Sequence, residues 1–145
     1  MRAYVFVYGT LQVEAVLLKI LRRVPELRAA RVAGFSRYRF TDASYPGAVA
    51  DPAGSIAGML LGPLSADELD SLHAYEGERY ACVPCAAALE VPFDAGVRAS
   101  VPNKAALVAA SIYVVVPAFR PLLSASDWDL NQWLTQDSAA FLENL

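Results

Sequence analysis

The start of the chain carries the pattern that most restricts its fold. An apolar run from Ala3 to Tyr8 ends at Gly9, and apolar residues at helical spacing follow at once: Val13, Val16, Leu17 and Ile20. This pattern predicts a strand, a tight glycine turn and the start of a helix. The first turn of a helix leaves backbone N–H groups without internal partners and carries a positive partial charge. This strand–turn–helix corner is therefore a candidate binding site for a carboxylate or phosphate. Most such corners bind nothing, so the corner alone does not define a site.

Size and composition favour one compact domain over residues 1–145. The chain has 145 residues, of which 56% are hydrophobic and 19% are charged, which is ample for a core. The net charge of −3 and the scattered basic residues argue against nucleic acid as a partner. The apolar runs are shorter than the roughly 20 residues of a membrane span, and a signal-peptide layout is missing. We therefore expect a cytoplasmic protein that binds neither nucleic acid nor membrane.

The two cysteines, Cys82 and Cys85, form a lone C-x-x-C pair. A zinc site would need two more ligands, and the only histidine, His73, lies in another segment. A redox pair is expected at the start of a helix, whereas these cysteines lie in a strand-like run. We predict two small buried hydrophobic side chains, with no metal and no other cofactor.

The remaining segments alternate between strand-like and helix-like patterns. Beyond the first strand, strands are predicted at Arg31 to Phe40, Ile56 to Leu61, Tyr80 to Val91 and Leu107 to Val116. Turns are predicted at Asp42 to Gly47 and Asp51 to Gly54, and a loop at Pro92 to Lys104. The predicted helices are Val13 to Val24, a second from Ser65 to Gly77, and a last one from near Ser126 that turns Leu130, Trp133, Leu134 and Phe141 toward the body. This order predicts an α+β fold: a small, mixed but mainly antiparallel β-barrel with two or three flanking helices.

Glu76 stands out because it lies on the buried stripe of the second predicted helix. That stripe holds Leu69, Leu72 and His73, and Glu76 occupies its next position. Burial and the negative end of the helix both raise the pKa of this carboxyl above about 4.3, which suits a general acid/base near neutral pH. Two alternatives stay open: the side chain turns to solvent at the helix end, or it accepts a hydrogen bond from a neighbouring backbone amide. His73 is predicted to be a hydrogen-bonded core residue without a catalytic role.

The familiar catalytic motifs are missing from the sequence. It contains no G-x-S-x-G, no Walker loop, no G-x-G-x-x-G and no acidic cluster of metal-binding spacing. Serine-hydrolase, nucleotide and metal chemistry therefore have no support, and any reaction must depend on very few groups.

Three segments together resemble the gamma-glutamylcyclotransferase family, and its AIG2-like branch most closely. They are the first strand and turn, Val5 to Leu11, the tripeptide Tyr45-Pro46-Gly47, and the segment Leu69 to Tyr80, which ends Tyr-Glu-Gly-Glu-Arg-Tyr. Their order and spacing fit that family over roughly residues 3 to 116. Both this resemblance and the helical periodicity select Glu76.

The resemblance implies a fold, a reaction and a set of site residues. The fold is a small mixed α+β barrel, and the reaction cyclises a small-molecule gamma-glutamyl amine or gamma-glutamyl amino acid to 5-oxoproline, which releases the amine. Glu76 is implied as the acid/base, and Tyr80 and Tyr113 are further candidates for the pocket wall, with strand packing as the alternative. The implied substrate loop, whose backbone N–H groups hold the alpha-carboxylate, consists of Tyr8, Gly9, Thr10, Leu11, Gln12 and Val13.

Parts of the chain depart from the family pattern. Cys82 stands where the family often has an arginine, the stretch Asp94 to Lys104 does not align, and Ser124 to Leu145 lies outside the resemblance. For this C-terminal segment we favour completion of the core over covering the pocket or docking a partner. The leaving amine and the oligomeric state cannot be read from the sequence. Two other functions remain open: a non-catalytic module that binds a small ligand or a protein, and gamma-glutamyl transfer to water or another amine.

Overall fold

The computed structural model describes residues 3–90 and 107–145, so the predicted loop Pro92 to Lys104 lies outside the described residues. The strands are β1 (Ala3–Val7), β2 (Leu27–Arg39), β3 (Pro46–Leu64), β4 (Tyr80–Leu89) and β5 (Leu107–Val115). The α-helices are α1 (Glu14–Leu21), α2 (Ala66–Glu76), α3 (Leu130–Gln136) and α4 (Ser138–Glu143), and short 3₁₀ turns cover Thr10–Gln12, Gly77–Arg79 and Pro117–Leu122. No helix within these two ranges is long and apolar enough to cross a membrane.

The five strands form a closed barrel in the order β1-β3-β2-β4-β5. The pairs β1–β3, β2–β3, β2–β4 and β4–β5 are antiparallel. The barrel closes through a parallel pair, in which Val5 and Phe6 of β1 lie opposite Ser111 and Ile112 of β5. The predicted α+β fold with a mixed, mainly antiparallel barrel is confirmed.

The alternation of side chains along β1 divides the core into two parts. Phe6 and Tyr8 point into the barrel, while Val5 and Val7 point outward to the helices. Small residues share the barrel interior with the two aromatic rings, which leaves room for both in a narrow barrel: Ala30, Ala48 and Ala87. The outer core packs the helices on the barrel, and its members include Leu17, Leu61, Leu72, Trp128 and Trp133.

The predicted turn at Asp51 to Gly54 does not end a strand: β3 continues through these four residues, which bulge out of the ladder because no residue of β2 pairs with them. The strand pairing instead shifts its register between Ala33 and Phe35, at Gly34, whose φ of +90° suits glycine. The Ser36 hydroxyl donates to Asp51 Oδ2 at 2.6 Å, which ties the irregular part of β3 to β2. The turn-forming residues therefore lie at a bulge inside a long hairpin rather than at its end.

Helix α1 ends at Leu21, three residues before the predicted end at Val24. Arg22 adopts a left-handed conformation with φ of 64° and terminates the helix. Val24 precedes Pro25, and a residue before proline is disfavoured in the helical region. Its side chain is consequently 38% exposed instead of lying on the buried face.

Helix α2 begins and ends where the sequence predicts. Ser65 Oγ accepts from the Glu68 N–H at 3.2 Å, and Glu68 Oε1 accepts from the Ser65 N–H at 3.0 Å, so the capping box is formed. Gly77 follows the helix with φ of +74°, a conformation that L side chains rarely adopt. His73 forms a hydrogen bond as predicted, but it is exposed rather than buried in the core. The two fixed ends place Glu76 in the last turn.

The C-terminal segment completes the outer core, with two short helices in place of one. Helix α3 begins at Leu130 rather than near Ser126, because the Asp129 carboxylate accepts from the Gln132 N–H at 3.2 Å and caps the helix. Trp133 is buried as predicted. Leu134 is 41% exposed, so its predicted inward position is wrong; a neighbouring helical residue is rotated by about 100° from Trp133.

The cysteine pair lies on strand β4, as its strand-like sequence pattern predicts. Residues three apart on a strand face opposite sides of the sheet. Cys85 is partly buried against the barrel core, whereas Cys82 is exposed. The prediction of two buried cysteines is therefore wrong for Cys82.

Candidate active site

A cavity of about 280 Å³ lies at one end of the barrel, between the loop that follows β1 and the last turn of α2. Its wall includes the loop from Tyr8 to Leu11, the carboxyl of Glu76 and several aromatic rings, those of Tyr45, Tyr75, Tyr80, Tyr113 and Phe141. The two segments that the sequence analysis selected, far apart in the chain, thus meet at one cavity.

Glu76 supplies the carboxyl group of this cavity. Its side chain is partly buried, and burial raises its pKa to about 8. No hydrogen bond contributes to this shift within the described residues, so the amide-capping alternative is not observed there. The raised pKa predicted from the helical stripe is confirmed, with burial as its cause. The group can therefore gain or lose a proton near neutral pH.

The loop after β1 is closely packed against the Tyr45-Pro46-Gly47 segment. A Cβ atom on Gly9 would lie 2.8 Å from the Pro46 ring, which explains the glycine there. The 3₁₀ turn that follows is held by the Gln12 N–H, which donates to Gly9 O, and the Val13 N–H, which donates to Thr10 O, each at 3.1 Å. The first N–H groups of such a turn, here those of Thr10 and Leu11, have no acceptor within the turn and remain available as donors.

The six residues of the implied substrate loop divide into two groups. Tyr8, Gly9, Thr10 and Leu11 line the cavity, while Gln12 and Val13 are not part of its lining. The Gln12 side chain instead donates from Nε2 to Gly9 O at 3.3 Å. Gln12 and Val13 thus hold the turn from behind.

The Tyr8 side chain is a structural part of the barrel. Its hydroxyl donates to the Tyr113 carbonyl at 2.6 Å and accepts from the Ala48 N–H at 3.1 Å. Burial, as the largest cause, raises the pKa of this phenol well above its ordinary value. The phenol therefore stays neutral and joins β1, β3 and β5 beside the cavity.

A direct hydrogen bond connects the loop to α2. Thr10 Oγ1 and the Tyr75 hydroxyl lie 2.6 Å apart, and Thr10 is 5% exposed. Because Tyr75 immediately precedes Glu76, this bond fixes the position of the loop relative to the carboxyl group.

Aromatic rings form much of the remaining wall. Tyr80 and Tyr113, suggested by the resemblance, both line the cavity, and the Tyr80 hydroxyl donates to Pro46 O at 2.6 Å. Burial raises the pKa of Tyr75, Tyr80 and Tyr113, so these phenols are neutral at physiological pH. Tyr45, Tyr75 and Phe141 also line the cavity and were not predicted as wall residues. Tyr75 could have been noticed beside Glu76. Phe141 was predicted only to face the body, and the preference for core completion over covering the pocket is incomplete, because Phe141 and Leu145 of the C-terminal segment also line the cavity.

Arg37 supports the start of the loop without being part of the described cavity lining, a role that was not predicted from the sequence. Its Nη1 donates to the Tyr8 carbonyl at 2.8 Å, and its Nε lies 2.8 Å from Asp127 Oδ1. The guanidinium also lies over the Trp128 ring, 5.6 Å from its centre. Through Arg37, the C-terminal segment helps to position the start of the loop.

Comparison with known proteins places the chain in a family. A family model described as gamma-glutamyl cyclotransferase, AIG2-like, matches residues 5–130. The chain therefore belongs to the AIG2-like gamma-glutamyl cyclotransferase family. AIG2-like protein A of Arabidopsis thaliana is 40% identical over 76 residues, which are 52% of this chain and 46% of that protein. The match thus spans about half the length of this curated relative.

Solved structures show the same architecture. The solution structure of an Arabidopsis thaliana protein has a TM-score of 0.71 and 28% identity, over 99% of this chain and 87% of that one. The crystal structure of a yeast gamma-glutamyl cyclotransferase specific to glutathione has a TM-score of 0.58 and 12% identity, over 86% and 73% of the two chains. At 12% identity, the similarity to the yeast protein shows only that the two chains share a fold.

Proposed function

We propose that the protein cyclises a gamma-glutamyl amine or a gamma-glutamyl amino acid to 5-oxoproline and releases the amine, with Glu76 as the general acid/base. The observation that carries this proposal is the partly buried Glu76 carboxyl, with a pKa of about 8, in the same cavity as the loop from Tyr8 to Leu11. Membership of the gamma-glutamyl cyclotransferase family supports the class of reaction.

The substrate supplies its own nucleophile, which explains why so few protein groups are needed. Once its ammonium loses a proton, the alpha-amine attacks the gamma-carbonyl carbon and forms the N–C bond of a five-membered lactam. The bond from that carbon to the leaving nitrogen then breaks. A protein that holds the substrate so that its amine contacts its carbonyl lowers the activation barrier, because the reacting groups are already in place. Beyond this it must move protons.

Glu76 is suited to that proton transfer. An exposed glutamate is too weak a base to deprotonate an ammonium efficiently, whereas a carboxylate with a pKa of about 8 is a much closer match. In the proposed sequence Glu76 takes a proton from the ammonium and donates it to the leaving nitrogen. One group thereby acts as base and then as acid.

The loop is proposed to hold the gamma-glutamyl group. Backbone N–H groups between Tyr8 and Leu11 would donate to the alpha-carboxylate, and they would also stabilise the negative charge that develops on the carbonyl oxygen. Gln12 and Val13 contribute by holding the turn through Gly9 O and Thr10 O. The Thr10–Tyr75 bond keeps this loop aligned with Glu76.

Product analysis tests the proposal against its alternatives. The purified protein is incubated with a panel of gamma-glutamyl amides that differ in their leaving amine, and the products are identified by mass spectrometry. Formation of 5-oxoproline with release of the amine supports cyclisation. Free glutamate would show transfer to water instead, and a folded protein that binds the amides without turning over any of them would be a binding module.

A further inference from the structure

The only histidine of the chain is hydrogen-bonded to a tyrosine of the cavity wall. His73 lies on α2, three residues before Glu76, and is exposed to solvent. Its Nδ1 lies 2.8 Å from the hydroxyl of Tyr113, a buried residue of β5 that lines the cavity together with Glu76. The two rings meet edge to face, with centres 5.6 Å apart and planes at 78°. This bond therefore links the cavity wall to the surface.

The proposed cyclisation releases more protons than Glu76 alone accounts for. The attacking nitrogen begins as an ammonium with three protons and ends in the lactam with one, so two protons leave it. Glu76 passes one of them to the leaving nitrogen, which departs as a neutral amine. The second proton has to leave the cavity before Glu76 can begin the next cycle in its ionised form.

We propose that Tyr113 and His73 carry this second proton from the cavity to solvent, an inference that rests on the proposed function. The Tyr113 oxygen accepts a proton from the cavity side while its own hydroxyl proton passes to His73 Nδ1. The exposed imidazolium then releases the Nδ1 proton to water, which leaves the neutral ring with its proton on Nε2. The Tyr113 hydroxyl turns its new proton back toward Nδ1, and the pair is restored for the next cycle. No atom or electron is gained or lost over the cycle, and no further reactant is needed.

The partners of the other hydrogen-bonded phenols of the cavity single out this pair. The Tyr8 hydroxyl donates to a carbonyl, the Tyr80 hydroxyl donates to another, and the Tyr75 hydroxyl pairs with Thr10. Carbonyl oxygens and a threonine hydroxyl are very weak bases, whereas an imidazole ring offers a basic nitrogen. Among these hydrogen-bonded phenols of the described chain, that of Tyr113 alone reaches a group able to receive a proton.

The packing around Tyr113 fits a relay because it holds the phenol in place. The Tyr113 carbonyl accepts from the Tyr8 hydroxyl at 2.6 Å, and the residue pairs with Cys82 of the neighbouring strand β4. Its backbone is thus fixed by β-pairing and by a buried hydrogen bond, while its hydroxyl is fixed by His73. A phenol held beside a solvent-exposed acceptor is in place to pass a proton, and only its hydroxyl proton has to turn between cycles.

The test compares His73→Ala, Tyr113→Phe and the double variant in their rates of 5-oxoproline formation. Each single variant should lower kcat about tenfold while KM changes less than about twofold; the loss is smaller than that of a full general acid/base because water can partly replace the relay. The double variant should be no slower than the slower single variant, since the two residues act as one unit. Added imidazole should restore much of the His73→Ala rate. Ser71→Ala, an exposed change on the same helix whose hydroxyl bonds only to Asp67 O, should behave as wild type.

Three results would overturn the relay in variants whose circular dichroism matches wild type: an unchanged kcat for His73→Ala, losses that multiply in the double variant, or no response to imidazole. Wild-type turnover separates this inference from the proposed function. If wild type forms 5-oxoproline and His73→Ala forms it as fast, the relay alone is wrong. If wild type forms none from any gamma-glutamyl amide, both proposals are wrong.

Discussion

The hydroxyl groups of Thr10 and Tyr75 lie 2.6 Å apart, and through them the loop after β1 is joined to the last turn of α2. These residues are 65 positions apart in the chain, yet their contact sets the distance between the backbone N–H groups of the loop and the carboxyl of Glu76. The arrangement of the cavity depends on this bond as much as on the barrel beneath it.

Removal of either hydroxyl should destabilise the protein. Thr10→Val or Tyr75→Phe leaves the other hydroxyl unpaired in a largely buried position, which costs roughly 1–3 kcal/mol. The double variant should lose little more stability than the less stable single variant, because neither hydroxyl is then left unpaired. Urea unfolding of the four proteins measures this coupling, and strictly additive losses would show that the two hydroxyls do not stabilise each other.

The stability of the protein should fall as the pH rises from about 5 to 8 because of Glu76. Its pKa is about 8 in the folded chain and about 4.3 when unfolded. Between these values the folded state holds a proton that the unfolded state has lost. The free energy of unfolding then decreases with pH, by at most about 1.4 kcal/mol per unit.

Comparison with Glu76→Gln isolates this effect. The variant lacks the titrating group but keeps the carboxyls whose pKa is lowered by arginine partners, those of Asp42, Glu68 and Asp127. Tm measured from pH 5 to 8 should fall more steeply for wild type, so that the variant gains relative stability as the pH rises. Parallel curves of Tm against pH would mean that the pKa of Glu76 is not raised by burial in the folded protein.

Arg37 should matter more for stability than the carboxylate that it pairs with. Arg37→Met removes the donor to the Tyr8 carbonyl, and an unpaired, partly buried carbonyl costs roughly 1–3 kcal/mol. Asp127→Asn weakens an ion pair whose acidic side chain is 67% exposed, which is expected to cost less than about 1 kcal/mol. Chemical denaturation of both variants checks the order, and an equal or larger loss for Asp127→Asn would contradict it.

The charge of the leaving amine should affect turnover. Glu76 is the only charged residue in the described lining of the cavity, so a carboxylate on the leaving group would find no cationic side chain there. A neutral amide such as gamma-glutamyl-propylamide should therefore have a higher kcat/KM than gamma-glutamyl-alanine, whose leaving group carries a carboxylate. Initial rates with the two amides at equal ionic strength measure this preference, and the reverse order would point to a cation that reaches the cavity.

Local signals predicted the features that local interactions determine. The Ser65–Glu68 capping box and Gly77 mark α2 because the residues that define its ends are neighbours in sequence. The inward position of Glu76 followed from helical periodicity. Strand alternation likewise indicated the sheet, although the register shift opposite Gly34 concealed that β3 continues through Asp51 to Gly54.

The features that escaped prediction depend on contacts between distant segments. Arg37 meets the Tyr8 carbonyl from another strand, and Phe141 reaches the Tyr75 ring from α4, with ring centres 6.5 Å apart. Neither contact has a short sequence pattern of its own. The position of Val24 was mispredicted for a different reason, since the conformational effect of Pro25 outweighed its fit to the apolar stripe.

The most direct test of the account is the rate of 5-oxoproline formation by Glu76→Gln, measured beside wild type and Glu78→Gln. Glu78 is an exposed carboxyl two residues further on, which makes it a matched control. We expect Glu76→Gln to lower kcat by roughly 10²- to 10⁴-fold with its fold intact, as for loss of a general acid/base, while Glu78→Gln retains the wild-type rate. A folded Glu76→Gln protein that turns over substrate as fast as wild type would contradict it.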